Sequence, residues 1–337
     1  MDWFERITGF KETHYEDTRA RLSVADGRLH SQHSARRCAV GTLETPSLAD
    51  LRTRAAARQA ARPAAPRPTT VQCVSGDVRQ LHRDAGAAGA TFQVASQFNL
   101  LEMAGPDVSP EDGVSGYAFD KTQGPACAIA AGAGTIYRNY LLPVGGQPGQ
   151  TRERQIDTLQ DLGAALGNEG NRLWQMRNGY CMVSDEGLAA IDAQLAALDR
   201  PGREALAGRL RVGVHADVEV TDPGAGHRVN QVYCSALPVA YNRVRQPRHW
   251  ERFARLVLDA AYEATLLAAA EHQHATGRAT VYLTQLGGGA FGNEPAWILD
   301  AMRRALRLAR DDGLEVRLVS HGAPDAALLR LASEFGA

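Results

Sequence analysis

Three consecutive glycines, Gly287, Gly288 and Gly289, stand between the apolar run ATVYLTQL and the helix-like run EPAWILDAMRRALRLARDD. Glycine tolerates backbone geometry closed to other residues, so its amides can approach an anion closely. A helix N-terminus directly behind the loop adds partial positive charge. A diphosphate is the natural ligand for such a loop, and Ala290, Phe291, Gly292 and Asn293 complete it. The plainer alternative is a tight strand–helix turn. Gly287, Gly289 and Gly292 also fit GxGxxG, the dinucleotide fingerprint. Only one clear strand follows them, whereas a dinucleotide fold places that fingerprint after its first strand. A nicotinamide-dependent oxidoreductase is therefore the weaker reading, and no catalytic set for hydride chemistry accompanies it.

Three further stretches hold polar residues just after apolar runs. In VSGDV, Asp77 and Val78 follow a glycine at a strand end, where a carboxylate can accept from an adenine amino group. A common Gly-Asp turn is the alternative there. In FQVASQFN, Gln97 and Asn99 can both donate to and accept from ribose hydroxyls, or simply cap the strand. In YAFDKTQGPACAIAAGAG, the polar Asp120, Lys121, Thr122 and Gln123 precede Gly124 and a helix of small residues. Small residues permit close approach of a ligand or of a neighbouring element.

These stretches need a scaffold, and the chain between them supplies alternating strands and helices from about Thr69 onward. Strands are predicted in TTVQCVS, ATFQVAS, LRVGVHADVEV, NQVYCSA, ATVYLTQL and LEVRLVSH. HWERFARLVLDAAYEATLLAAAEHQ reads as a long amphipathic helix, with Glu263 interrupting its apolar face. Such alternation predicts a sheet covered by helices on both faces, with ligands outside the strands' carboxyl ends. Residues 145–210 read as a mostly helical insertion, with one hairpin at Asn178-Gly179. Residues 1–65 read as a mostly helical extension and linker, whose boundary with 66–337 lies in ARPAAPRPTT.

Composition removes several classes. The 337 residues are 44% hydrophobic and 22% charged, with net charge −1. That balance offers no general grip on nucleic acid. No apolar run is long enough to span a membrane, and the acidic N-terminus lacks a signal-type stretch. Five cysteines at 38, 73, 127, 181 and 234 form no CxxC pair, and no HxH or HExxH pattern occurs. No metal and no disulfide framework is expected. A cytoplasmic monomer is expected, or a protein delivered into a host cytosol.

Taken in order, VSGDV, FQVASQFN, the DKTQG loop and GGGAFGN resemble the macrodomain family, over roughly residues 70–322. The last motif is similar to the "GxGAFGxD" run of the poly(ADP-ribose) glycohydrolase branch. The resemblance implies a three-layer α/β/α fold with a mixed central sheet and a helical N-terminal extension. It implies adenine binding by Asp77 and distal-ribose binding by Asn99, with Val78 and Gln97 beside them as further ligand-binding residues. Residues 122–134, Thr122, Gln123 and Gly124 among them, would wrap that ribose and the diphosphate, and residues 287–293 would clasp the diphosphate, with Phe291 beside the ribose. The chain departs from that branch in lacking its paired-glutamate "QEE" run. It is similar in this to a divergent bacterial and effector-associated subgroup that reverses ADP-ribosylation, including on arginine.

The resemblance implies hydrolysis at the distal ribose of a mono-ADP-ribosylated protein, with arginine-linked substrates favoured. Such a reaction needs one carboxylate to activate water and an acid for the leaving group. The segment where the paired glutamates would stand offers Glu102, Asp107, Asp112 and Asp120. Asp120 is the expected key carboxylate, with Asp112 and Glu102 as helpers. No cofactor is expected, ADP-ribose being ligand or product. A non-catalytic ADP-ribose reader is the alternative from a different class.

Overall fold

The seven strands of the central sheet define the computed structural model, which describes residues 1–61, 67–244 and 247–336. They are β1 (Thr42–Glu44), β2 (Thr70–Ser75), β3 (Thr91–Ala95), β4 (Gly213–Glu219), β5 (Arg228–Cys234), β6 (Thr280–Leu283) and β7 (Glu315–Ser320). Across the sheet their order is β1-β4-β5-β3-β6-β7-β2. The five strands from β5 to β2 run parallel. β4 runs antiparallel to both β5 and β1. Parallel strands need crossovers, and helices supply them.

The main helices are α1 (Leu48–Ala60), α2 (Val78–Arg83), α3 (Gln123–Ala130), α4 (Gly132–Tyr140), α5 (Trp250–Thr276), α6 (Pro295–Leu308) and α7 (Ala326–Ser333). Strand side chains alternate between faces, and β5 displays this directly. Val232 and Cys234 join the core formed with α5, α6 and α7. Tyr233 joins the opposite core with Phe92, Cys127 and Ala131. Helices therefore cover both faces of a mixed sheet, the three-layer α/β arrangement expected from the strand–helix alternation.

The small-residue run resolves into α3 and α4, broken at Ala131 (φ −104°, ψ 50°). Its glycines mark close approaches. A Cβ at Gly132 would lie 2.6 Å from Ile7 Cδ1, and one at Gly134 would lie 2.6 Å from Val218 Cγ2. Glu263 is nearly buried on α5, and its charge is answered by Arg52 Nε at 2.5 Å and Arg304 Nη1 at 2.6 Å.

Residues 1–61 correct the expectation of a mostly helical extension. An antiparallel three-stranded sheet spans Leu22–Ala25, Arg28–Ser31 and Ser34–Ala39. Its first turn is Asp26-Gly27, with φ of 51° and 67°, a hairpin signal passed over in the sequence. The next strand, β1, forms the edge of the central sheet. Trp3, Phe4 and Ile7 pack with Ala128, Ile129, Ala133 and Ile136 of α3 and α4. The expected boundary after residue 65 falls within 62–66, outside the described residues. Between 145 and 210 lie three helices, Gln160–Leu166, Asp185–Ala197 and Arg200–Ala207. The hairpin there pairs Trp174–Arg177 with Tyr180–Val183 around Asn178 (φ 46°) and Gly179 (φ 80°).

Candidate active site

A cavity of about 250 Å³ opens where β5, β3 and β6 end at their carboxyl termini. Ala95 and Ser96 contribute from β3, Ala236 from beyond β5, and Thr284 and Gln285 from beyond β6. This is where open α/β sheets place ligands, because adjacent crossovers diverge there.

The segment after β3 turns back sharply to present Glu102. Gln97 Oε1 accepts from the Met103 amide at 2.8 Å, and Gln97 Nε2 donates to the Met103 carbonyl at 3.2 Å. Asn99 Oδ1 accepts from the Leu101 amide at 3.1 Å, and its Nδ2 donates to Gln155 Oε1 at 2.8 Å. Two side-chain amides thus replace the strand partners that the turn gives up. Leu100 adopts φ 63°, a left-handed conformation that costs a non-glycine residue free energy. Burial of Leu100 and Leu101 holds it there.

Glu102 is 1% exposed, lines the cavity, and has no hydrogen-bond partner on either carboxylate oxygen. The Arg138 guanidinium lies 3.6 Å from Oε1. Burial pushes the carboxyl up to about 8, although Arg138 pulls it down. At neutral pH it is mostly protonated and able to donate.

Asp120 also lines the cavity, half-buried at its rim. Its Oδ1 accepts from the Thr122 amide at 2.8 Å. Thr122 occupies the N-cap position of α3 without a side-chain capping bond, and Gln123 opens the helix. Gln123 locks helix to strand: its Oε1 accepts from the Ala95 amide at 2.8 Å, and its Nε2 donates to the Gln93 carbonyl at 2.9 Å. Gly124 is required at this contact, since a Cβ would collide with the Ala95 carbonyl oxygen.

The glycine loop forms the opposite wall through Gly287, Gly289, Ala290 and Phe291. Gly287 (φ 77°) and Gly292 (φ 70°) take left-handed geometry. Buried Asn293 closes the loop: its amide donates to the Gly287 carbonyl at 2.9 Å and its Nδ2 to the Leu237 carbonyl at 2.8 Å. Gly288, Gly289 and Ala290 remain exposed, leaving their backbone open to a ligand. Phe291 joins Tyr180 and Tyr241 in an aromatic wall, with ring centroids 5.1–5.6 Å apart.

Of the residues singled out in the sequence, the structure brings to the cavity Gln97, Glu102, Asp120, Thr122, Gln123, Gly124, Gly287, Gly289, Ala290 and Phe291. Asn99, Gly288, Gly292 and Asn293 support its walls without lining it. Asp112 is exposed and caps a short 3-10 helix, accepting from Ser109 N at 2.7 Å and Ser109 Oγ at 2.8 Å. Asp107 pairs with Arg177. Asp77 lies beyond β2, the far edge strand, and caps α2 by accepting from Arg79 N at 2.7 Å. Val78 is buried in the core.

Sequence reasoning missed Tyr180, Tyr241 and Arg138. The Asn178-Gly179 turn could have flagged Tyr180, the residue that follows it. Gly179 packs on the turn after β3, where a Cβ would lie 2.6 Å from Asn99 Cγ. Nothing local marks Arg138, which lies on α4 behind the cavity. Among the described residues, no three His, Cys, Asp or Glu side chains are grouped to hold a metal. None of the described helices is long and apolar enough to cross a membrane.

No protein-family model matches the chain, and no curated protein matches it. Solved structures do. Poly(ADP-ribose) glycohydrolase from Thermomonospora curvata is 17% identical, with 94% of each chain covered and a TM-score of 0.46. The same enzyme bound to the inhibitor ADP-HPD is 16% identical over 95% of each chain, with a TM-score of 0.46. Poly(ADP-ribose) glycohydrolase from Deinococcus radiodurans in complex with ADP-ribose is 13% identical, covering 87% of this chain and 93% of that one, with a TM-score of 0.46.

Proposed function

We propose that the chain is an ADP-ribosylhydrolase that releases mono-ADP-ribose from modified protein side chains, arginine-linked ones foremost. The observation that carries this reading is Glu102, a carboxyl buried at the cavity with no partner on either oxygen. An unsatisfied buried polar group costs about 1–3 kcal/mol. Such groups, with strongly shifted proton affinity and set in a cleft, mark reactive sites.

The distal ribose enters between the DKTQG loop and the glycine loop. At about 250 Å³ the cavity suits part of a nucleotide, and the diphosphate runs out along the exposed amides of residues 288–290. Phe291 and the two tyrosines shield the sugar from water on one side. Asp120, at the rim, orients a water molecule and takes its proton as the oxygen bonds to the anomeric carbon. Protonated Glu102 gives its proton to the departing nitrogen as the glycosidic bond breaks, and the proton that Asp120 took from water later restores the acid. A guanidine leaving group is cationic, which a half-exposed Asp120 carboxylate tolerates. Asp112 takes no part, since its carboxylate is occupied by Ser109.

Purified protein is incubated with arginine-linked mono-ADP-ribosylated protein, and free ADP-ribose is followed. Calorimetry with ADP-ribose runs in parallel. Release that Glu102→Gln and Asp120→Asn each reduce by about 100-fold or more supports the reading. Binding without release identifies a reader. Absence of both sinks the assignment.

A further inference from the structure

The cavity carboxyl has a charged neighbour that does not bond to it. Arg138 is fully buried, and three of its five N–H donors are committed elsewhere. Nε donates to the Leu100 carbonyl at 3.0 Å, and Nη2 donates to Thr135 Oγ1 at 3.2 Å. Nη1 lies 3.3 Å from His215 Nδ1, while His215 Nε2 lies 2.6 Å from the Val40 carbonyl. A carbonyl only accepts, so the His215 proton sits on Nε2 and Nδ1 accepts from Arg138. Burial holds His215 down to about 3, which keeps that ring neutral. The guanidinium also lies over the Tyr233 ring, 3.8 Å from its centroid, an attractive cation–π placement.

An arginine free to move would form a bidentate bridge with a carboxylate this close. That bridge would occupy both oxygens and fix the group as an anion. Here four partners hold the cation still, and Glu102 keeps both oxygens bare towards the cavity.

We propose that Arg138 is a positioning residue: clamped by Leu100, Thr135, His215 and Tyr233, it places a positive charge beside Glu102 while withholding its hydrogen bonds, so the carboxyl stays open to the ligand. The inference deepens the hydrolase reading and rests on it for its purpose, though the clamp itself is testable without turnover. The other titratable groups facing Glu102 are Tyr117, Cys127 and Tyr233. Burial raises all three, so they remain neutral across the working range. Among the described residues, Arg138 is the charged group that shifts the carboxyl. The contact with Val40 ties the N-terminal segment into the same network.

The test reads the Glu102 carboxyl stretch in ligand-free protein by infrared titration, assigned by difference from Glu102→Gln. Arg138→Met is expected to raise the midpoint by about 1–3 pH units, the usual effect of removing an opposite charge at this range. Arg138→Lys is expected to recover part of that rise. Thr135→Val removes one anchor and lets Nη2, 3.6 Å from Glu102 Oε1, swing into bonding range, so its midpoint is expected to fall. A folded Arg138→Met protein with an unmoved or lowered midpoint overturns the inference. If neither Arg138 variant folds, Thr135→Val decides, and an unmoved or raised midpoint overturns it. Because no substrate is used, an inert wild-type protein would refute the hydrolase reading and leave this result standing.

Discussion

Replacing Glu102 by Gln should change how stability depends on pH, as well as removing a reactive group. A glutamate carboxyl ordinarily titrates near 4.5, and burial pushes that of Glu102 up to about 8 in the folded protein. Between those values the unfolded chain releases a proton that the folded chain keeps. The stability tied to this group is therefore fully present below about 4.5 and is lost as pH rises through about 8. At 1.36 kcal/mol per unit, the gap corresponds to about 4–5 kcal/mol. Glutamine has nearly the same shape and does not titrate. The variant should match wild type near pH 4.5 and exceed it by up to that amount above pH 8. With an unfolding entropy of about 2.1 cal/mol/K per residue, this is roughly 6 °C in Tm for a chain of this length. His82, His215 and Asp259 also shift on burial, but the difference between two curves recorded side by side cancels them. Urea unfolding at half-unit intervals from pH 4.5 to 9 provides the assay. Parallel curves for the two proteins would refute the account of Glu102 as a buried acid. Turnover should also decline above about pH 8, where the carboxyl loses its proton.

Gly124→Ala should destabilise the fold by about 1–3 kcal/mol in chemical denaturation, because the new methyl meets the Ala95 carbonyl. Calorimetry should also show lost ADP-ribose affinity. Asp112→Ala should cost about 1 kcal/mol through its lost cap and leave kcat unchanged, which separates it from Asp120→Asn. Phe291→Ala should raise KM for the modified protein by about tenfold, with the circular dichroism spectrum retained, since it opens one side of the aromatic wall. Glu263→Gln should lower stability by about 2 kcal/mol or more, because Arg52 and Arg304 would lose a shared partner in a largely buried setting.

The parallel core was legible because each strand there is a short apolar run followed by a turn. Local alternation sufficed for β2, β3, β5, β6 and β7. The glycine loop was legible for a related reason: left-handed positions 287 and 292 need glycine and announce themselves. The N-terminal sheet was missed because its strands are short, and burial along its outer strands does not alternate, so no apolar period reveals them. Site residues divided along the same line. Gln97 and Glu102 adjoin a strand end and were visible. The roles of Asn99 and Asp112 were not, because a side-chain amide or carboxylate that bonds its own backbone looks the same in sequence as one facing a ligand. Arg138 was invisible for another reason. Its importance comes from contacts with residues 38 and 77 positions away, and no local pattern records these.

Strand β1 pairs Glu44 with Val214, which has a consequence for synthesis. At about 5–20 residues per second, translation needs roughly 10–35 s to reach β4 after β1 has left the ribosome. Until then β1 has no sheet edge to join, and the Val40 carbonyl has no histidine to accept from. The edge of the nascent sheet is completed by a strand made about 170 residues before its partner, after a long wait unpaired. A ribosome-bound chain halted before residue 213 should therefore be cut readily by protease at β1, residues 42–44, and one extended beyond residue 219 should resist there.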